Sequence, residues 1–214
     1  MESQIKYEIL DSTRQAMCSQ LAALKQDFYL AGGTGLALQI GHRISEDFDF
    51  FTNDRFDPPR LLRRMTELFQ KYEIEQLQNE DRTLTLLIQG VKISFYFVEP
   101  APLTPLQDSK YFRIASIQEI GTFKLDALLR AALKDYVDLF FILQKHTLHD
   151  LFTLARKKYP GIDEAVYLKA MLSYDDIDLS PIRYIAGYET SPETIFHSLR
   201  EHVDRYLKED ARKK

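Results

Sequence analysis

The chain has 214 residues, of which 45% are hydrophobic and 28% charged, and this composition excludes the disordered and fibrous classes. Its net charge of -4 excludes a surface that is basic all over, although a local basic groove for nucleic acid is compatible with it. The single cysteine, Cys18, excludes an internal disulfide, and no apolar run approaches the ~20 residues of a membrane span, so we expect a cytoplasmic protein with no membrane partner.

The first half of the chain alternates helical and strand-like patterns. Apolar residues at helical spacing predict a helix over 9–25, and a short apolar run predicts a buried strand at 27–31. Thr34 should lie near the start of the next helix, which ends at Gly41. The further elements expected in this half are a strand at 47–51, a helix at 58–71 and strands at 72–77, 83–88 and 91–98, with a hairpin turn at Gln89-Gly90.

Three prolines between Glu99 and Pro105 mark a connector, because proline neither propagates a helix nor donates to a sheet. Beyond it the periodicity is helical almost everywhere. We therefore expect an α/β domain over 1–105 and a helical domain over 106–214. The expected helices of the second domain are 117–129, 133–144, 148–159, 163–172 and 192–207.

Residues 47–51 alternate between acidic and aromatic side chains, which is typical of a strand with one polar face and one buried face. Asp47 and Asp49 would point to the same side with their Cβ atoms roughly 7 Å apart. Two carboxylates in this arrangement can bind Mg²⁺ or Mn²⁺, and Mg²⁺ completes its shell with water and substrate phosphates. Taken alone, the pentapeptide also fits a solvated strand face.

The preceding segment favours the metal interpretation. Gly32 and Gly33 end the predicted strand, and a helix is expected to begin near Thr34. A helix N-terminus presents backbone N–H groups and the positive end of its dipole, which attract phosphate. This arrangement beside an Asp-x-Asp strand suits a nucleoside triphosphate bridged to magnesium.

This order of Gly-Gly-Thr followed about a dozen residues later by Asp-x-Asp resembles the nucleotidyltransferases of the DNA polymerase β type. The segment 30–51, LAGGTGLALQIGHRISEDFDFF, is similar to the signature of the AbiEii/AbiGii toxin family of bacterial toxin–antitoxin and phage-defence systems. A second match, FKLDALLR at 123–130 followed by KDYVDL at 134–139, is similar to that family's helical motif. The resemblance covers roughly residues 27–145.

The resemblance implies an α+β fold, in which a mixed, polymerase β-like sheet flanked by helices is followed by a C-terminal helical bundle. It implies metal-dependent transfer of a nucleoside monophosphate from a nucleoside triphosphate to an acceptor hydroxyl, with an RNA end, particularly the 3′ end of transfer RNA, as acceptor. A cognate antitoxin protein is the implied partner. The implied residues are Asp47, Asp49, Lys124 and Asp135 for catalysis, Gly32, Gly33 and Thr34 for phosphate binding, and Asp47 and Asp49 as metal ligands. We add Arg43 and Ser45 as expected nucleotide-binding residues.

Some of these residues have a structural interpretation as well. Lys124 is a compact cation that could neutralise the β and γ phosphates, and we favour this role for it. Asp126 with Arg130, and Lys134 with Asp138, have the i, i+4 spacing of surface helix pairs, and we favour such a pair for the first two.

Two basic residues precede the acidic strand. Arg43 could bind phosphate or the acceptor nucleotide, or form a salt bridge with Glu46. For His42 we favour a structural role as a capping residue.

The sequence departs from the polymerase β pattern on the strand at 91–97. Catalysts of that type carry a third carboxylate on a strand next to the Asp-x-Asp strand, and here the centre of the candidate strand is Ser94. A serine hydroxyl is a weaker metal ligand and is no base at neutral pH without activation. Asp135, Glu46 or Glu99 could substitute for it, or a single metal could act with a base supplied by the substrate. The alternative is a catalytically silent nucleotide-binding protein that acts as a sensor or partner-binding module.

Overall fold

The structure is a computed structural model that describes residues 5–212, and it divides after Ser116 into an α/β unit and a helical unit. The α/β unit extends past the proline-rich connector, because two short strands follow the connector and join its sheet. Its helices are α1 (Ser12–Leu21), α2 (Gly32–Ile40) and α3 (Pro58–Leu68). Its strands are β1 (Tyr29–Leu30), β2 (Phe48–Thr52), β3 (Ile74–Glu80), β4 (Thr83–Ile88), β5 (Val91–Phe97), β6 (Gln107–Asp108) and β7 (Arg113–Ile114).

The strands form one mixed sheet in the order β3-β4-β5-β2-β1-β7-β6. Strand β2 lies between β5, to which it is parallel, and β1, to which it is antiparallel. The expected hairpin joins β4 to β5, with Gln89 and Gly90 both at positive φ, as a two-residue turn of this kind requires. The mixed sheet flanked by helices confirms the expected fold.

One face of the sheet packs against the core of the α/β unit. Along β2, Phe48 and Phe50 are buried while Asp49 is only partly buried, so the alternation of side chains separates an apolar face from a polar face. The same alternation buries Ile93 and Phe95 on β5. Burial of each such side chain contributes about 1.5–3 kcal/mol. The core also contains residues of α1 and α3, among them Met17, Leu21, Leu61 and Met65, and Phe69, which follows α3 directly.

The structure differs from the expected elements in two places of this unit. Helix α2 begins at Gly32, so Thr34 lies near its start as expected, but the glycine pair forms the first turn of the helix and does not end the preceding strand. The second difference is that β6 and β7 were not expected. Two residues are too few to show the alternation by which a strand is identified from sequence.

The helical unit confirms the C-terminal helices. They are α4 (Ile117–Ala127), α5 (Leu133–Leu143), α6 (Leu148–Lys158), α7 (Glu164–Leu172) and α8 (Pro192–Ala211). Helix α6 begins with a capping box between Thr147 and Asp150, and Ser191 caps α8 by accepting a hydrogen bond from the Thr194 N–H. No helix within residues 5–212 is long and apolar enough to cross a membrane.

Candidate active site

The start of helix α2 lies directly beside strand β2. Ala31 precedes the helix, and its N–H donates to the carbonyl oxygen of Asp49 at 3.0 Å. Gly32 has a φ of +60°, a conformation that favours glycine. The N–H groups in the first turn of a helix have no acceptor within the helix, and the positive end of the helix dipole lies there too. Here that helix start lies next to Asp49.

Both aspartates are held against this helix start. A Cβ atom added to Gly32 would lie 2.5 Å from Oδ2 of Asp49, which shows that the carboxylate packs against the glycine Cα. Asp47 immediately precedes β2, and its carbonyl oxygen accepts a hydrogen bond from the hydroxyl of the buried Thr34. The first turn of α2 therefore positions the acidic segment through both side-chain packing and a hydrogen bond.

A guanidinium and a hydroxyl lie at the second residue of the helix. A Cβ atom on Gly33 would lie 2.7 Å from Nη2 of Arg43 and 2.9 Å from Oγ of Ser45. Arg43 is buried, and its Nη1 donates to the carbonyl oxygen of Ile44 at 3.0 Å. A buried cation, a hydroxyl and helix N–H groups together favour an anion. The structure thus brings together all five residues expected to bind nucleotide, and the neighbouring His42 is fully buried.

Sequence reasoning missed Lys92 on β5. Its Nζ lies 2.9 Å from Oδ2 of Asp47, and both side chains are partly exposed. The hydrogen bond that Lys92 donates to Asp47 raises the pKa of Lys92, and the negative charge of Asp49 acts in the same direction, whereas partial burial opposes it. The sequence does contain one indication that Lys92 lies at the site, because Lys92 is two residues before Ser94 and therefore on the same face of the strand.

Ser94 is the partner of Asp49 in the parallel register between β2 and β5. It is fully buried, and Oγ1 of Thr85 lies 3.4 Å from its Oγ at a hydrogen-bonding angle. A pair of hydroxyls therefore occupies the position at which polymerase β type catalysts have a third carboxylate. Of the substitutes considered, Glu46 and Glu99 are exposed, and Asp135 belongs to the helical unit.

The oxygen donors of the two aspartates fit the chemistry of a magnesium site. Within residues 5–212 no group of three or more His, Cys, Asp or Glu side chains could hold a metal ion by itself. Mg²⁺ is commonly bound by one or two carboxylates together with substrate phosphates and water. Asp47 and Asp49, next to a helix start from which the Cβ atoms are missing, match that donor set.

Lys124 and Asp135 meet in the helical unit. Nζ of Lys124 lies 2.7 Å from Oδ1 of Asp135 and 2.6 Å from Oδ2 of Asp138, and all three side chains are buried. Arg130 approaches the other oxygen of Asp135, with 3.1 Å between Nη2 and Oδ2. Two cations thus compensate two buried carboxylates.

The favoured surface pair of Asp126 with Arg130 is wrong, and the alternative pair of Lys134 with Asp138 does not form either. Arg130 binds Asp135 rather than Asp126, because α4 ends at Ala127 and continues as a 3₁₀ turn, which removes the i, i+4 alignment. Lys134 is exposed whereas Asp138 is fully buried against Lys124, so these two residues do not form a surface pair.

A second buried ion pair in the helical unit was not anticipated. The ammonium of Lys158 contacts the carboxylate of Glu119, and both side chains are fully buried. The ammonium also lies 4.5 Å from the ring centroid of Phe123, a cation–π contact. Since 39 residues separate the two charges, no local spacing could have revealed the pair.

Comparison with known proteins identifies the family. The family model described as the nucleotidyl transferase AbiEii toxin of type IV toxin–antitoxin systems matches residues 15–213. This chain belongs to the AbiEii family. As an AbiEii protein it is a nucleotidyltransferase toxin, and its family implies an antitoxin partner. The motifs at 30–51 and 123–139 both fall within the matched range.

Individual proteins resemble this chain in sequence or in fold. An uncharacterized protein of Aquifex aeolicus (strain VF5), aq_aa25, is 34% identical over 188 residues, which are 85% of this chain and 88% of that protein. A candidate nucleotidyltransferase of H. pylori has a similar structure, with a TM-score of 0.64 and 19% identity, covering 96% of this chain and 99% of the other.

JHP933 from Helicobacter pylori matches with a TM-score of 0.61 and 18% identity over 98% of this chain and 97% of its own. The antibiotic-resistance factor ANT(2'')-Ia matches with a TM-score of 0.53 and 11% identity over 69% of this chain and 92% of its own. At these identities the solved structures establish that the fold is shared.

Proposed function

We propose that this AbiEii protein transfers a nucleoside monophosphate from a nucleoside triphosphate to an acceptor hydroxyl, with Mg²⁺ or Mn²⁺ held by Asp47 and Asp49. The observation that carries the proposal is the packing of the Asp49 carboxylate against Gly32 at the start of α2. In this arrangement an acidic metal ligand and an anion-binding helix end lie side by side. A metal–triphosphate complex needs both features.

The triphosphate would bind at the first turn of α2. The N–H groups of Gly32 and Gly33 and the hydroxyl of Ser45 can donate to phosphate oxygens, and the Arg43 guanidinium supplies a positive charge at the same place. Thr34 acts through the backbone, because its hydroxyl holds the carbonyl of Asp47. The missing Cβ atoms let the Asp49 carboxylate and the Arg43 guanidinium approach the helix backbone closely.

The reaction forms one bond and breaks one. The acceptor hydroxyl oxygen attacks the α-phosphorus, the bond from that phosphorus to the oxygen bridging to the β-phosphate breaks, and pyrophosphate leaves with the bond electrons. The hydroxyl proton is released to solvent, since Ser94 cannot act as a base at neutral pH. The bound metal would supply neutralisation of the phosphate charge. The protein residues contribute by binding and orienting the triphosphate.

RNA is the proposed acceptor, in particular the 3′ end of transfer RNA, because the resemblance of segments 30–51 and 123–139 to the toxin family implies it. The catalytic roles of Lys124 and Asp135 also rest on that resemblance. The structure adds that Lys124 is a buried cation bound to two carboxylates. A cognate antitoxin protein, which relieves the growth arrest caused by the toxin, is the partner in the same proposal.

A silent nucleotide-binding protein is the second candidate, and Ser94 is the observation that favours it. Ser94 is fully buried in register with Asp49, so the sheet offers a hydroxyl where a two-metal catalyst would have a carboxylate. This candidate predicts nucleotide binding without product.

The experiment that tests the proposed function incubates the protein with each α-³²P-labelled nucleoside triphosphate, Mg²⁺ or Mn²⁺, and total cellular RNA. Transfer of label to an RNA species, lost in the Asp49→Asn variant, would support the enzyme and isolate its acceptor. The matched control is Asp54→Asn, which changes an exposed aspartate just after β2. Nucleotide binding without transfer would favour the silent protein.

A further inference from the structure

The polar face of the sheet carries a permanent cation beside the two aspartates. Strands β2 and β5 are parallel, and Asp49 is in register with Ser94. Two residues earlier, Asp47 just before β2 and Lys92 on β5 are therefore neighbours on the same face. Their side chains meet, with 2.9 Å between Nζ of Lys92 and Oδ2 of Asp47.

The charges at this face are sufficient for one divalent cation. Asp47 and Asp49 contribute two negative charges, Lys92 contributes one positive charge, and Ser94 and Thr85 are uncharged. A second divalent ion would need a further carboxylate, but the register position beside Asp49 holds a buried hydroxyl. It would also lie near an ammonium group that repels it.

We propose that the ammonium of Lys92 takes the place of a second metal ion, so that the nucleotide-loaded protein binds one divalent cation per chain. The inference rests on the proposed function of the Asp47–Asp49 pair as a metal–triphosphate site. Lys92 is a positioning residue in this scheme: it holds Asp47 in place and supplies fixed positive charge beside the metal ligands.

The contact between Lys92 and Asp47 also affects metal binding in the ligand-free protein. Because Lys92 already occupies one oxygen of Asp47, it competes with a divalent cation for that carboxylate. In water, a unit charge about 4 Å away changes the binding of a singly charged ion by roughly fivefold and that of a divalent cation by more. The Lys92→Met variant should therefore bind Mn²⁺ more tightly than the native protein, while its nucleotidyl transfer becomes slower.

The test counts bound Mn²⁺ by electron paramagnetic resonance on the full chain, with and without a non-hydrolysable α,β-methylene nucleoside triphosphate. We expect one Mn²⁺ per nucleotide-loaded chain for the native protein. In the ligand-free state we expect Lys92→Met to tighten Mn²⁺ binding roughly fivefold or more, and Lys92→Arg to stay near the native value. Lys71→Met removes an exposed lysine of the same unit, in the turn before β3, and should change neither quantity.

The failures of the two proposals are distinguishable. Two Mn²⁺ ions per nucleotide-loaded native chain, or unchanged Mn²⁺ affinity in Lys92→Met, would overturn the role of Lys92 and leave the proposed function standing. A native protein that binds neither Mn²⁺ nor the nucleotide analogue would overturn the proposed function, and the inference with it.

Discussion

Oδ2 of Asp49 lies against the Cα atom of Gly32, where a methyl group at residue 32 would come within 2.5 Å of it. The contact joins the two features that the sequence shows separately, the glycine pair and the Asp-x-Asp strand. Because Gly32 is also at positive φ, both its backbone conformation and its missing side chain are required at this point.

Gly32→Ala should abolish detectable nucleotidyl transfer. The substitution costs about 1–2 kcal/mol of stability through the positive φ, and the new Cβ displaces the Asp49 carboxylate. The control is Gly90→Ala in the β4–β5 hairpin, where φ is +74° and nothing lies within 4 Å of the added Cβ. Urea unfolding should show similar losses for both variants, and only Gly32→Ala should lose activity. Equal activity loss in both would refute the contact's role.

Gly33→Ala should weaken nucleotide binding with little effect on stability. The added Cβ would lie 2.7 Å from the Arg43 guanidinium, the end of a flexible side chain that can move aside. The displaced cation would no longer support the phosphates, and a roughly tenfold increase in the nucleotide Kd corresponds to about 1.4 kcal/mol. Isothermal titration with a non-hydrolysable analogue measures this change. An unchanged Kd would exclude Arg43 from the nucleotide site.

Lys124→Met should destabilise the helical unit strongly. The variant leaves Asp135 and Asp138 buried with too little positive charge, which costs about 3–5 kcal/mol. Arg130→Met is the comparison, because this guanidinium also binds Asp135 but is 67% exposed, so its loss should cost about 1 kcal/mol or less. Urea unfolding of both variants checks the ranking, and a larger loss for Arg130→Met would contradict it.

The Lys158–Glu119 pair should show the asymmetry of buried charges. Lys158→Met alone leaves the buried Glu119 carboxylate uncompensated and should cost about 3–5 kcal/mol. The double variant Lys158→Met/Glu119→Leu removes both charges and should recover most of that loss. Measuring the free energy of unfolding of the single and double variants tests whether removing both charges recovers the stability lost in the single variant. A double variant less stable than Lys158→Met would show that the pair is net stabilising.

Much of the fold follows from local sequence patterns. Helices α4 to α8 were expected within a few residues of their observed bounds, since each shows apolar residues at helical spacing. The β4–β5 hairpin follows from Gln89-Gly90, because the turn requires a positive φ, which glycine adopts readily. Strands β6 and β7 could not be predicted, because two residues show no period.

Some features of the candidate site are likewise visible in the local sequence, and others depend on the fold. The glycine pair and the Asp-x-Asp strand are visible because each is a run of neighbouring residues. The role of Lys92 depends on the register between β2 and β5, and no single strand specifies that register. Likewise the partner of Arg130 depends on how α4 ends. The catalytic roles of Lys124 and Asp135, and the cytoplasmic location, stay predictions.

The most direct test of the central claim is the rate of pyrophosphate release and RNA labelling in the Asp47→Asn/Asp49→Asn variant, with each nucleoside triphosphate and Mg²⁺ or Mn²⁺. Asparagine keeps the shape of each side chain and removes the charge that holds a cation. The account predicts that native protein transfers label and that the variant loses at least a hundredfold of the rate, about 2.7 kcal/mol, while remaining folded. Transfer by the folded variant at the native rate would contradict it.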